Sequence, residues 1–265
     1  MNENVDIFIC AHKPLLYEPK DTTFKVICGK DDDVTTEKID IIREDGYLSN
    51  LGFCELSRFY YIWKNVELKA YVGINHYRRF FDFNGNSAIE PLPDIEKIFE
   101  NGTDVILPDP WNIGNIALNY KVCHNINDLG ICVGIIKDKF PEYIETTEKV
   151  LNNGFFLQGN MFVMRKEDFN EYCEFMFGVL LDYCKIAGID YCSDASFTAH
   201  VQNNLGQYIK YGNGIGSKVS YQSRICSFLS ERLTTIFMLK KFDPSKWKTF
   251  KQIDRFEGDN GNDWK

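Results

Sequence analysis

In Tyr71-Val72-Gly73-Ile74-Asn75-His76-Tyr77-Arg78-Arg79-Phe80-Phe81 an apolar run ends on one imidazole, one phenol and two guanidiniums. Tyr71, Val72 and Ile74 have the β-branched and aromatic character of a central strand. A glycine inside such a strand, here Gly73, lets a ligand or a neighbouring backbone come close. Ligands of open α/β sheets bind at the carboxyl ends of the strands, which is where His76, Tyr77, Arg78 and Arg79 would stand. Arginine grips phosphate oxygens through paired hydrogen bonds, so this pair suits a diphosphate; the competing expectation is a pair of surface ion pairs. Successive strand residues face opposite ways, so both arginines reach one ligand only if the chain turns near Tyr77.

Other groups could join them. The nearly continuous apolar run 5–11 reads as a buried first strand that delivers His12 to the sheet edge, where it could stack on or hydrogen-bond a base, or serve the fold alone. Asp45-Gly46 bends the chain and Ser49 or Asn50 can cap a helix expected over 51–65, with Glu55 and Arg58 near its start as an exposed pair. Gln158-Gly159-Asn160 interrupts an apolar strand over 155–164, and Asn160 could bond hydroxyls or mark a bulge. Asp190 and Asp194 lie in a polar crossing and each also suits a helix cap or a solvated loop. Arg224 and Arg232 could bring further positive charge, while Glu231 could hold one of them, act as a base, or dock the C-terminal helix.

Several ordered motifs, taken together, carry a resemblance. They are Ala11-His12-Lys13-Pro14, Cys54-Glu55-Leu56 with Trp63-Lys64-Asn65, Val72-Gly73 with His76-Tyr77-Arg78-Arg79, Gly159-Asn160-Met161-Phe162, Tyr221-Gln222 with Arg224, and Phe228-Leu229-Ser230-Glu231-Arg232-Leu233. In these the sequence resembles the bacterial capsular and exopolysaccharide glycosyltransferase family long catalogued as a domain of unknown function, whose hallmark is a strand ending in HYRR. The resemblance implies a Rossmann-like, GT-A-like nucleotide-sugar transferase fold. It implies transfer of a sugar, in some members a galactofuranose, from a uridine diphosphate donor to a growing capsular, exopolysaccharide or O-antigen glycan. It would set Asp45, Ser49 and Glu55 beside the nucleoside. Relatives carry a histidine followed by tyrosine where this chain has His124 followed by Asn125, a departure that leaves the role of His124 open.

An inverting sugar transfer needs a carboxylate to take the acceptor hydroxyl's proton; Asp194 is the first candidate, with Asp190 and Glu231 as alternatives. Many folds of this type hold a divalent ion on the diphosphate with an Asp-x-Asp at a strand end. Here that position reads His76-Tyr77-Arg78-Arg79, so fixed guanidinium charge could do the work, and no metal ligand is assigned. Trp111 or Tyr120 could stack on a sugar face. A non-catalytic nucleotide-sugar or glycan-binding component of an assembly complex is the alternative function.

The elements that would position these groups follow from pattern. With 265 residues, 44% hydrophobic and 26% charged, the chain is long enough for one large core. Apolar runs at 5–11, 24–29, 71–76 and 103–108 alternate with helical patterns, the rhythm of βαβ units and a mostly parallel sheet flanked by helices. A single domain over 1–256 is expected, with a nucleotide-binding half to about 110, an acceptor-side half after it, and a polar tail over 257–265. Two helices over about 127–152 read as scaffold, and a long helix follows over 166–186. The alternating glycines of 211–217 lack the strand-to-helix context of a phosphate loop.

A net charge of −8 argues against a nucleic-acid binder. No window reaches the roughly 20 apolar residues of a membrane span, and no signal pattern opens the sequence. The nine cysteines form no C-x-x-C pair, which fits a reducing cytoplasm and disfavours zinc. The stretch 237–247, apolar with lysines, either touches a lipid-linked acceptor at the membrane or packs. Nothing in the pattern names an oligomeric state.

Overall fold

The computed structural model describes residues 2–208 and 215–256, so the polar tail and most of the alternating-glycine stretch lie outside the described residues. The strands are β1 (Val5–Cys10), β2 (Phe24–Gly29), β3 (Asp40–Glu44), β4 (Tyr71–His76), β5 (Arg79–Phe81), β6 (Val105–Pro108), β7 (Trp111–Asn112), β8 (Phe155–Phe156), β9 (Phe162–Arg165), β10 (Trp247–Phe250) and β11 (Gln252–Asp254). The helices are α1 (Asn50–Phe53), α2 (Leu56–Asn65), α3 (Ile95–Glu100), α4 (Ile116–Cys123), α5 (Ile126–Lys139), α6 (Ile144–Leu151), α7 (Lys166–Ala187), α8 (Asp194–Asn203), α9 (Leu205–Tyr208), α10 (Val219–Gln222) and α11 (Ile225–Lys241).

The fold is α/β. One sheet runs in the order β10-β6-β9-β4-β1-β2-β3, and β5 and β11 extend it as a side ribbon from β4. β1 is buried at every position because it lies between β2 and β4, parallel to both, with apolar layers on each face. Phe8, Cys10, Val72 and Ile74 face the larger core, which α2, α5, α7 and α11 cover with Phe59, Cys132, Tyr172 and Phe237. Ile7, Ile9, Val26 and Val163 face the smaller one, closed by Ile95 and Phe99 of α3. Strands β9 and β10, from the second half of the chain, complete the sheet begun by the first half. Among the described residues no helix is long and apolar enough to cross a membrane.

The main sheet is mostly parallel, as expected, with β9 entering antiparallel between β4 and β6. Several element bounds are corrected. The expected strand over 155–164 is two strands, because Gly159 and Asn160 take left-handed φ of 88° and 51° and turn the chain from the β7–β8 ribbon into the main sheet. The expected helix over 51–65 is likewise two. Ser49 accepts from the Gly52 amide and Cys54 closes α1 on the Asn50 carbonyl; Cys54, at φ 51°, then redirects the chain into α2. Glu55, at the head of α2, makes no capping bond of its own. Asn125, not Asn127 or Asp128, caps the α5 helix. The 237–247 stretch packs at its start: Phe237 and Met238 are fully buried in α11, and Trp247 begins β10.

Gly73 is required by packing rather than by a ligand. A Cβ there would lie 2.9 Å from Ile7 Cγ1 and 3.2 Å from Val163 Cγ2, side chains of the two flanking strands. Gly73→Ala is therefore expected to cost about 1–3 kcal/mol as an overpacked core position. Urea unfolding of the variant would check this, and an unchanged midpoint would contradict it.

Candidate functional site

The chain does turn where two neighbouring arginines need it to. β4 and β5 form a hairpin in which His76 pairs with Arg79 across the two-residue turn Tyr77-Arg78. The Tyr77 amide donates to the Cys10 carbonyl at 3.1 Å, which ties the turn to the end of β1, and the Tyr77 ring meets His12 edge-on at 4.9 Å. All four residues of the motif line one cleft of about 920 Å³. The cleft runs from Cys10, His12, Lys13 and Asp32 at the strand ends to Trp111, Phe156, Tyr221 and Phe228 in the second half of the chain.

Behind the hairpin, the Gly159-Asn160 turn organises the acidic groups. The Gly159 amide donates to Glu231 Oε1 at 3.0 Å, and its carbonyl accepts from His76 Nε2 at 2.5 Å. The Asn160 side-chain amide donates to Glu55 Oε1 and to Ser230 Oγ, both at 2.8 Å, while its oxygen accepts from Thr234 Oγ1 at 2.8 Å. The turn thus holds an imidazole and two carboxylates in one place. Glu231 also accepts from Arg232 at 3.1 Å. Burial raises the Glu231 pKa against the pull of Arg232, and the neighbouring Glu55 carboxylate adds to the rise. Burial lowers the His76 pKa, opposed by Glu55 and reinforced by Arg79 and Arg78, so His76 is neutral at pH 7 with its Nε2 proton on Gly159.

The cations differ in how they are engaged. Arg79 Nε donates to Asp254 Oδ1 at 3.2 Å. Arg232, 4% exposed, is wedged between the Tyr120 and Phe156 rings and donates to Asn119 Oδ1 at 3.1 Å. Arg224 donates from Nε to Cys54 Sγ at 3.0 Å and stands over the Phe228 ring. Among the described residues no carboxylate lies within 4.0 Å of Arg78 or Arg224, so their charge is left for the cleft.

The structure gathers His12, Glu55, His76, Tyr77, Arg78, Arg79, Asp194, Arg224, Glu231 and Arg232 on the cleft wall. Asn160 is fully buried just behind it. Ser49, also buried, donates to Asp194 Oδ1 at 2.5 Å, and the same oxygen accepts from the Leu51 amide at 3.0 Å. Asp194 thereby anchors α1. Asp45 is exposed at its turn and Asp190 caps the Cys192 amide; neither lines the cleft. Tyr120 is buried under Arg232 and has no face for a sugar, whereas Trp111, 54% exposed, lines the cleft. His124 stacks on Phe228 at 3.9 Å and bonds Gln222 at 3.2 Å.

Two cleft residues escape the sequence pattern. Asp32 follows β2, and Arg58 is 3% exposed rather than on the surface. Arg58 pairs with Asp32 at 2.7 Å and lies 3.6 Å from Glu44, so the exposed Glu55–Arg58 pair expected on the helix does not form. The strand-end rule applied to β2 would have found Asp32; nothing local flags Arg58. Among the described residues no three His, Cys, Asp or Glu side chains gather into a group that could hold a metal ion.

A family model described as a domain of unknown function (DUF4422) matches residues 6–197, so Arg224, Glu231, Arg232 and Asp254 lie beyond the matched region. No match is found among curated proteins. The apo structure of the bifunctional glycosyltransferase WbbM is similar over 95% of this chain, at 25% identity and a TM-score of 0.66. The match covers 45% of that chain, so the present chain spans less than half of its length.

His124 gives the cleft wall a pH dependence. Burial and the nearby Arg232 lower its pKa from 6.5 to about 3, against the Gln222 hydrogen bond. A lowered folded pKa means that the unfolded chain binds the proton first, so stability present above pH 6.5 is lost as pH falls. At pH 5 the loss due to this group is about 2 kcal/mol relative to pH 7. His124→Gln should show a pH 7 to pH 5 decline in unfolding free energy smaller by that amount; equal declines in both proteins would contradict the assignment.

Proposed function

We propose that this chain, which belongs to the DUF4422 family, is a glycosyltransferase that moves a sugar from a nucleoside diphosphate donor to a glycan acceptor. One observation carries the reading: a strand-end hairpin presents Arg78 and Arg79 to the same cleft in which Glu231 is held on the Gly159 amide. Likeness to a glycosyltransferase over nearly the whole chain supports it. We infer a uridine diphosphate donor, carrying galactofuranose or another hexose, and a growing capsular, exopolysaccharide or O-antigen acceptor at the cytoplasmic face of the membrane. The HYRR motif and the aromatic wall of Trp111, Tyr221 and Phe228 support those choices.

The chemistry is a single displacement with inversion. The acceptor hydroxyl oxygen attacks the anomeric carbon, the bond from that carbon to the diphosphate oxygen breaks, and the diphosphate leaves with the electron pair. Arg78, Arg79 and Arg224 stabilise the departing charge as preorganised cations. Glu231 takes the hydroxyl proton. Its raised pKa suits a base near neutral pH, and it replaces Asp194, whose Oδ1 is committed to Ser49 and Leu51. Glu55 and His76 set the position of the Gly159-Asn160 turn from the other side.

Arg78→Ala should abolish stabilisation by uridine diphosphate in a thermal-shift assay and lower transfer by roughly 100-fold or more. Glu231→Gln should keep donor binding and lower kcat by about 100-fold or more. Because Glu231 acts when ionised and burial raises its pKa, wild-type kcat should rise with pH along a limb above the ordinary carboxylate range. Chelation with EDTA is expected to leave turnover intact, and EDTA-sensitive turnover would sink the metal-free reading. Donor binding with neither transfer nor donor hydrolysis over a broad acceptor panel would instead mark a non-catalytic binding component.

A further inference from the structure

The HYRR hairpin is completed by the far end of the chain. β11 pairs antiparallel with β5, placing Asp254 opposite Arg79 and Gln252 opposite Phe81. The backbone ties are continuous: the Asp82 amide donates to the Lys251 carbonyl at 2.8 Å, and the Arg255 amide to the Arg78 carbonyl at 2.8 Å. Gln252 in turn holds Asp254, its amide donating to both carboxylate oxygens at 2.9 and 3.0 Å.

Asp254 accepts from Nε of Arg79, which is the inner edge of the guanidinium. The Arg79 side chain then passes over Gly159, its Nη1 lying 3.4 Å from where a Cβ on that glycine would stand, and Gln252 Oε1 lies 3.8 Å from the same point. Arg79 lines the cleft; Asp254 and Gln252 do not. One edge of the fork is therefore held from behind, and among the described residues its terminal N–H groups have no hydrogen-bond or ion-pair partner. A guanidinium locked in this way loses less rotamer freedom on gripping an anion than a free arginine does.

We propose that Asp254, supported by Gln252, is the positioning residue that aims Arg79 at the diphosphate of the donor. The proposal rests on the reading of the cleft as a nucleoside diphosphate site. It assigns a binding role to β11, some fifty residues beyond the region matched by the family model, residues 6–197. Asp254 touches no ligand itself. Its effect is transmitted wholly through Arg79, and this separates it from a residue that merely stabilises the ribbon.

The test is a double-mutant cycle on the full chain, with uridine diphosphate and inorganic pyrophosphate as probes in titration calorimetry. Asp254→Ala should weaken both probes by about tenfold in the wild-type background and have no further effect in Arg79→Ala, a non-additivity expected of residues in direct contact. Asp254→Asn, which keeps an oxygen acceptor for Nε, should bind within about threefold of wild type; Gln252→Ala, which frees Asp254 without removing it, should fall between the two. If Asp254→Ala does not fold, the Asn and Gln252 variants carry the cycle. Additive losses, or an Asp254→Ala that binds like wild type while Arg79→Ala does not, would overturn this inference and leave the cleft reading standing. Failure of the wild-type chain to bind either probe would overturn both.

Discussion

The cleft depends on two consecutive residues in a backbone conformation that L-amino acids avoid. Gly159 at φ 88° and Asn160 at φ 51° sit in the left-handed region, where glycine is unpenalised and asparagine is among the more tolerant side chains. That pair lies between the β7–β8 ribbon and β9, and the turn leaves the Gly159 amide and carbonyl free of the strand ladders. Glu231 takes the first and His76 the second. A β-branched residue at either position would have to adopt the same φ at a cost of order 1–3 kcal/mol. The strain is held by the interior: Asn160 is fully buried and spends its side-chain amide and oxygen on Glu55, Ser230 and Thr234.

This places the acidic groups under the control of α11. Thr234 Oγ1 bonds Asn160 and also meets the Tyr172 hydroxyl at 2.8 Å, so the network continues into α7 and the larger core. Thr235 contributes separately, accepting from the Leu157 amide just before the turn. Buried polar networks of this kind are worth having only when each member is satisfied. Asn160 meets that condition. Glu231 shares a small volume with Glu55, Arg232 and His76, and burial together with the nearby Glu55 raises its pKa against the pull of Arg232.

Much of the scaffold was legible because it follows from hydrophobic period. β1, β2, β4 and β6 read as apolar runs and the long α7 as a 3.6 repeat, and each stands within a few residues of its expected place. The hairpin turn at Tyr77-Arg78 was stated as a geometric condition and is met. What was not legible involves left-handed backbone at non-glycine positions. Cys54 splits α1 from α2 without a change in hydrophobic pattern to mark it, and Asn160 joins Gly159 in splitting β8 from β9 at a polar interruption that reads equally as a bulge within one strand. The reversed direction of β9 was hidden for the same reason. Among site residues, those at strand ends and in the hairpin could be named from the sequence. Arg58 and Asp254 could not, since each acts through a partner 26 and 175 residues away.

The side ribbon sets a limit of a different kind on the cleft. β11 has three residues, pairs with β5 alone, and leaves its other edge unpaired among the described residues, so its hydrogen bonds belong to the low end of the protein's opening energies. Amide exchange there would proceed by fraying of the ribbon while β1 and β4 remain protected inside the sheet. During synthesis the same strand emerges after the other strands of the sheet, which can assemble before Arg79 acquires its carboxylate. Warming the folded protein would release that guanidinium into a wider set of rotamers well below the temperature at which the sheet itself melts.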